Sequence, residues 1–140
     1  MDSVDFDALE HEARRLMPPA SFAFCACGAD DEISMVENIA AWRALRLRPR
    51  VLRDVTAIDT RVTLLGRQVP TPIMVAPTGR HKLFHPLGER ATARGAAAAG
   101  SAYVMASNSN ILIEDVAEER RDAPQWFQLY YWPNLSLIHI

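Results

Sequence analysis

The sequence predicts an α/β protein with a parallel sheet, and three observations predict it. Residues 73–76 form a short apolar run between prolines, the pattern of a strand covered on both faces. An alanine-rich run at 91–99, closed by Gly100, has the length and the stop signal of a helix. Residues 101–106 then form a second apolar run of strand length. Strand, loop, helix and strand in that order make a right-handed crossover between parallel strands. The loop after the first strand, Pro77-Thr78-Gly79, is the expected site, because ligands of such sheets gather at the carboxyl ends of the strands.

Taken in order, residues 6–17 carry Phe6, Leu9, Ala13 and Leu16 at helical spacing, and Pro18-Pro19 ends that helix. Residues 20–26 are apolar and fit either helix or strand. Residues 32–45 return to helical spacing through Ile33, Val36, Ile39 and Trp42, with Asp30 or Asp31 as the expected cap. Residues 51–70 alternate enough for two short strands turning at Leu65-Gly66-Arg67, a hairpin beside the main sheet. After the first core strand, His85-Pro86 is expected to open a helix, with Glu89 near its positive end. Asn110 is the expected cap of a further helix through Glu119, Asp122-Ala123-Pro124 turns the chain, and residues 126–131 are rich in strand formers. The second half therefore reads β-α-β-α-β.

Composition narrows the function classes. Hydrophobic residues make up 49% of the 140, which places the chain among globular proteins. A net charge of -2 provides no general attraction to nucleic acid or anionic membrane. Five arginines, Arg43, Arg46, Arg48, Arg50 and Arg53, form a local exception. Without interleaved aromatics they read as a solvated helix end, where cations are favoured. No apolar run reaches the ~18 residues of a membrane span. The acidic start, Met1-Asp2-Ser3-Val4-Asp5, has none of the regions of a signal peptide. Cys25 and Cys27 lie too close for an easy disulfide and lack a second ligand pair, so they read as small buried packing residues in a reducing cytoplasm.

Three strand ends carry the candidate chemistry: Pro77-Thr78-Gly79, Ala106-Ser107-Asn108, and Gln128 with Tyr130. Gln128 and Tyr130 are two apart, so on one strand they would share a face. A buried Gln offers donor and acceptor to the edge of a heterocycle, and a Tyr hydroxyl can bond a substrate oxygen. A polar layer inside a sheet fits the same two residues, and both readings stand on this chemistry alone. His81 and His85 have the spacing of a metal pair on a helix, but Pro86 places them in a loop, and no metal is expected. His85 reads as a hydrogen-bonding residue ahead of the helix.

Four motifs occur in the order known from one family: residues 47–55 (LRPRVLRDV), 72–78 (PIMVAPT), 85–94 (HPLGERATAR) and 126–130 (WFQLY). The chain resembles the FMN-dependent 2-hydroxy-acid oxidases and dehydrogenases, such as glycolate oxidase, lactate oxidase and mandelate dehydrogenase, from about residue 9 to residue 134. The resemblance implies the N-terminal part of a (β/α)8 TIM barrel, about three βα units preceded by helices and a hairpin that plugs its bottom. It implies FMN as cofactor, oxidation of an L-2-hydroxy acid to a 2-oxo acid, and a homo-oligomeric parent enzyme. It also implies that the backbone of Pro77, Thr78 and Gly79 lies against the flavin ring and that Gln128 bonds its pyrimidine part. Tyr130 matches the catalytic tyrosine at the substrate's reacting oxygen. Ala106 stands where the family usually has a flavin-contacting Ser, and Phe22 where it often has a Tyr that binds the substrate carboxylate. Loss of that hydroxyl would cost binding ~1.5–3 kcal/mol. Gly79 in place of a common Ala, and Asn108 in place of a bulky residue, imply a reshaped pocket.

The family's histidine base, its substrate-binding arginines and its flavin-side lysine lie downstream of residue 140. Residues 1–134 are therefore expected to be the front of such an enzyme, truncated and inactive alone, and residues 135–140 (LSLIHI) a non-family tail. The runner-up is another FMN barrel, such as a type 2 isopentenyl-diphosphate isomerase, which would need basic residues for a diphosphate. A non-enzymatic fragment is the reading from a different class.

Overall fold

The computed structural model describes residues 4–120 and 122–130. It divides into two compact units, Met1–Ala57 and Ile58–Ile140. The first unit is helical. α1 (Phe6–Leu16) is opened by Asp5, whose carboxylate accepts the Ala8 N–H at 3.0 Å. α2 (Pro19–Ala26) settles the open reading of residues 20–26 as helix. Pro18-Pro19 does end α1, but Pro19 also starts α2, since its missing N–H and fixed φ suit a first helical position. Arg14 of α1 lies over the Phe22 ring of α2, 4.8 Å from its centre.

α3 (Ile33–Ala44) lacks the expected aspartate cap. Glu32 precedes it in left-handed backbone and turns its carboxylate back to the Gly28 N–H at 2.9 Å. At its other end Arg46 donates to the carbonyls of Arg43 and Leu45, at 2.6 and 3.1 Å. That bears out the helix-end reading for this arginine. Cys25 and Cys27 are exposed and unpaired, against the expectation of burial. The reason is local: Cys27 caps the carboxyl end of α2, and no residue of α2 is fully buried.

The second unit holds both sheets. β1 (Val62–Leu64) and β2 (Arg67–Val69) pair antiparallel, and Leu65 and Gly66 close the hairpin with left-handed backbone at φ 47° and 77°. The two short strands expected within 51–70 are both present, in its second half; the chain before residue 62 follows local turns, with Asp54 accepting from Thr56 and Asp59 pairing with Arg61. β3 (Met74–Val75), β4 (Ala102–Met105) and β5 (Gln125–Phe127) form a parallel sheet in the order β3-β4-β5. Met74 stands opposite Ala102 and Tyr103 opposite Gln125, which confirms the parallel topology.

α4 (Glu89–Ala98) begins three residues later than His85-Pro86 suggested. A turn of 3-10 helix at His81–Leu83 comes first, and the His85 ring and carbonyl accept the N–H groups of Leu87 and Gly88. His85 is thus the hydrogen-bonding residue expected ahead of the helix. α4 ends as its sequence indicated. Gly100 adopts φ +66°, its N–H reaches Ala97 at 3.0 Å, and Ser101 N–H reaches Ala96 at 2.8 Å. A Cβ at Gly100 would also lie 3.1 Å from Cγ of Pro70, where the hairpin leaves. The hairpin therefore abuts the start of β4, the end of the sheet away from Pro77-Thr78-Gly79.

Alanines let α4 sit close to the sheet. Ala93 and Ala96 share a core with Tyr103 and Met105 of β4 and with Val116 of α5 (Ile113–Arg120). Arg90 and Arg94 on the outer face of α4 pair with Glu119 of α5, a surface lattice of small net worth. The stronger tie is Arg120, only 3% exposed. Its guanidinium donates to the carbonyls of Ala93 at 3.1 Å, Ser101 at 2.7 Å and Pro124 at 2.7 Å. Replacing it removes three charge-assisted bonds, worth about 1.5–3 kcal/mol each, although the Pro124 carbonyl keeps the Tyr103 N–H at 3.2 Å. Arg120→Leu is expected to destabilise any chain carrying this unit by about 3 kcal/mol or more. Urea unfolding checks this, and an unchanged midpoint would show that the three bonds are replaceable.

Candidate functional site

Pro77-Thr78-Gly79 leaves β3 at its carboxyl end and runs beside the loop that leaves β4. The Arg80 N–H donates to the Asn108 carbonyl at 3.0 Å, and the Lys82 N–H donates to the Asn110 side chain at 3.2 Å. Asn110 therefore does not cap α5 as expected; its side chain serves the neighbouring loop. A Cβ at Gly79 would lie 3.1 Å from Asn108 Cβ and 3.2 Å from its carbonyl oxygen, so only glycine permits this closeness without a shift. The two departures noted at positions 79 and 108 are one packing feature.

Both loops are tied to Glu89. One carboxylate oxygen accepts the His81 N–H at 3.2 Å and the Asn110 N–H at 2.9 Å. Glu89 is fully buried at the first residue of α4, where an acidic side chain is favoured by the helix dipole. Its second oxygen has no protein partner. The His81 ring turns to Thr92 at 2.9 Å, while His85 is engaged with Leu87. Among the described residues, no group of three His, Cys, Asp or Glu could hold a metal ion.

Gln128 and Tyr130 are not on one strand, which corrects the shared-face expectation. β5 ends at Phe127, although the Gln128 N–H still reaches the Met105 carbonyl at 2.8 Å. Beyond that point the segment hangs from Ser107, whose hydroxyl donates to the Gln128 carbonyl and accepts the Tyr130 N–H at 3.1 Å. The Gln128 side-chain oxygen is buried without a partner among the described residues, an acceptor open to a further N–H. Tyr130 is 43% exposed. Ala106 is buried, and its carbonyl accepts the Ser109 hydroxyl at 2.7 Å.

The fold thus brings Pro77, Thr78, Gly79, Ala106, Gln128 and Tyr130 to one end of one sheet. Phe22 belongs to the other unit, half-buried beneath Arg14. Reading the sequence missed Glu89 as a link between loops and Ser107 as a bridge. The acidic residue at the helix start was visible, but its two backbone donors lie 8 and 21 positions away.

Residues 13–139 match the model of the FMN-dependent dehydrogenase family. The chain is 44% identical over 134 residues to human 2-hydroxyacid oxidase 2, covering 96% of this chain and 37% of that protein. It is 44% identical over 138 residues to the peroxisomal (S)-2-hydroxy-acid oxidase of Oryza sativa subsp. indica, covering 97% and 37%. Among solved structures, a mandelate oxidase superposes with a TM-score of 0.87 at 37% identity, over 95% of this chain and 38% of that one. The chain therefore spans about 37% of the length of the curated relatives it matches.

Between the sheet and the helices, the Tyr103 phenol is pushed up to about 12, first by burial and then by Glu89, with Arg120 pulling it down. A raised folded value means that the neutral phenol is favoured in the fold. Its contribution to stability is complete below pH 10 and is lost as pH rises through about 12. The Tyr103 hydroxyl has no protein partner. Tyr103→Phe is expected to leave stability at pH 7 unchanged or slightly raised, and to weaken the loss above pH 10. Chemical unfolding at pH 7 and at alkaline pH checks both parts; a large loss at pH 7 would show that the hydroxyl has a partner.

Proposed function

The chain belongs to the FMN-dependent dehydrogenase family, and from that premise we propose that it is the amino-terminal part of an enzyme that oxidises an L-2-hydroxy acid to the 2-oxo acid. The observation that carries the proposal is the end of the parallel sheet. Three strand ends converge there, with a buried, unpartnered Gln128 oxygen and an accessible Tyr130 ring. The N-terminal part of a (β/α)8 barrel presents its active-site loops at this face.

The residues present fit FMN. An unpartnered buried acceptor suits an N–H on the edge of a heteroaromatic ring. In this reading Gln128 holds the pyrimidine part of the flavin, and the backbone of Pro77, Thr78 and Gly79, with Ala106, lines the ring's surface. The chemistry that FMN supplies when bound is acceptance of two electrons as the substrate's C2–OH becomes C2=O. Tyr130 orients the substrate by hydrogen bonding its reacting oxygen; Phe22, in the helical unit, stands at the position where the resemblance puts a carboxylate-binding hydroxyl. The proton base and the carboxylate-binding arginines are assigned to sequence beyond these 140 residues.

The substrate class follows the relatives, a human 2-hydroxyacid oxidase and a rice (S)-2-hydroxy-acid oxidase. Gly79 and Asn108 support an acid differently anchored from glycolate or lactate. The exposed, unbonded Cys25 and Cys27 support a reducing compartment, and the cytoplasm is the location proposed. The rice relative is named peroxisomal. Among the described residues no helix is long and apolar enough to cross a membrane. A homo-oligomer is proposed, supported by apolar side chains exposed on α3, including Val36, Ile39 and Trp42.

The test is expression of a chain that carries this sequence on to the length of its relatives. It is expected to purify yellow and to oxidise aryl or aliphatic 2-hydroxy acids. Tyr130→Phe is expected to lower kcat about 10²-fold, the typical worth of one bond that strengthens in the transition state. A colourless protein, or one indifferent to 2-hydroxy acids, would sink the proposal. The 140 residues expressed alone are expected neither to retain FMN nor to turn over substrate, because the three-stranded sheet leaves apolar faces and an edge unpaired. Absorbance at the flavin bands after gel filtration decides this.

A further inference from the structure

Resting on the flavin-dependent oxidation proposed above, we infer that Ser107 is a positioning residue that sets both Gln128 and Tyr130 through one hydroxyl. The ladder between β4 and β5 stops supplying support just where the candidate residues begin. β5 ends at Phe127, and the last backbone bond to β4 is the one from Gln128 N–H to the Met105 carbonyl, at 2.8 Å. Among the described residues no such bond joins Tyr130 to β4; its N–H goes to the Ser107 side chain at 3.1 Å. The same Ser107 oxygen gives its proton to the Gln128 carbonyl.

A hydroxyl carries one proton and two acceptor lone pairs, so a single Ser can accept from one residue and donate to another. Ser107 uses both capacities on one short segment. The two bonds tie the backbone on either side of Leu129, which is itself 52% exposed and supplies little packing of its own. The Gln128 side-chain oxygen and the Tyr130 ring therefore inherit their placement from the loop after β4. That loop is in turn laced to the loop after β3 by Arg80, Lys82 and Glu89. Ser107 acts on the reaction through these two residues.

The test uses the full-length chain with Ser107→Ala and Ser107→Thr beside the unaltered protein. Ser107→Ala removes both bonds; it is expected to lower kcat on a 2-hydroxy acid by about tenfold to a hundredfold, as small misplacements of reacting groups do. KM should change little, and the visible absorption band of the bound flavin should shift as the Gln128 contact moves. Ser107→Thr keeps the hydroxyl and is expected to restore kcat and the flavin band. Should Ser107→Ala not fold, Ser107→Cys carries the test, because its thiol is a weak donor and acceptor of similar size. A lowered melting temperature with unchanged kcat and unchanged flavin band would overturn the inference, as would failure of Ser107→Thr to restore either readout. If the unaltered protein bound no FMN, the functional reading would fall and this inference with it. If it bound FMN and turned over, and Ser107→Ala matched it, this inference alone would fall.

Discussion

The guanidinium of Arg120 is the contact on which the α/β unit depends. A buried cation is costly unless its donors are used, so Arg120 is held where carbonyls from three segments converge. Two of those carbonyls, from Ser101 and Pro124, precede β4 and β5, so one side chain sets where both strands begin. The third, from Ala93, fastens α4 to the same point. The cation also lies over the Tyr103 ring, 5.7 Å from its centre, which fills the space between the helices and the sheet.

Glu89 does the corresponding work at the other end of the strands. Arg120 gathers carbonyls beneath the sheet, and Glu89 gathers N–H groups above it, from the loops after β3 and β4. Two buried polar side chains thus hold the two ends of β4, each bonded to backbone rather than to the other, with Glu89 Oε2 and Arg120 Nε left without partners among the described residues. The candidate site is built on the Glu89 end. Its loops are short and bonded to one another, so Pro77-Thr78-Gly79 and Asn108 approach so closely that a Cβ at position 79 would need Asn108 to shift. Ser107 then passes that order to the segment carrying Gln128 and Tyr130.

Much of this was legible from local signals. The apolar runs that became β3 and β4 are bounded by Pro and Gly, and the stop at Gly100 needs only a left-handed residue after a helix. The ordered motifs carried the family, and the match over residues 13–139 agrees. Expectations failed where a residue's usual preference met a competing partner. Asn110 has the chemistry of a helix cap, yet the Lys82 N–H, 28 residues away, takes its side chain. Asp30 and Asp31 are good caps by type, but Glu32 enters left-handed backbone and closes the turn onto Gly28. The strand formers after Phe127 do not extend β5, because their partners there are a serine hydroxyl and not a ladder.

By itself the sequence determined most of the helices and the core strands (though not the state of residues 20–26), that the sheet is parallel, and which residues lie near the strand ends. These follow from hydrophobic period, from Pro and Gly punctuation, and from connections too long for hairpins, all of which are local properties. The tertiary structure alone decided which buried polar atoms find partners. It joined Arg120 to carbonyls up to 27 positions away, Glu89 to two loops, and Ser107 to a segment more than 20 residues on. A hydrogen bond between distant residues leaves no periodic trace in a chain, and those bonds are what hold the candidate site in its arrangement.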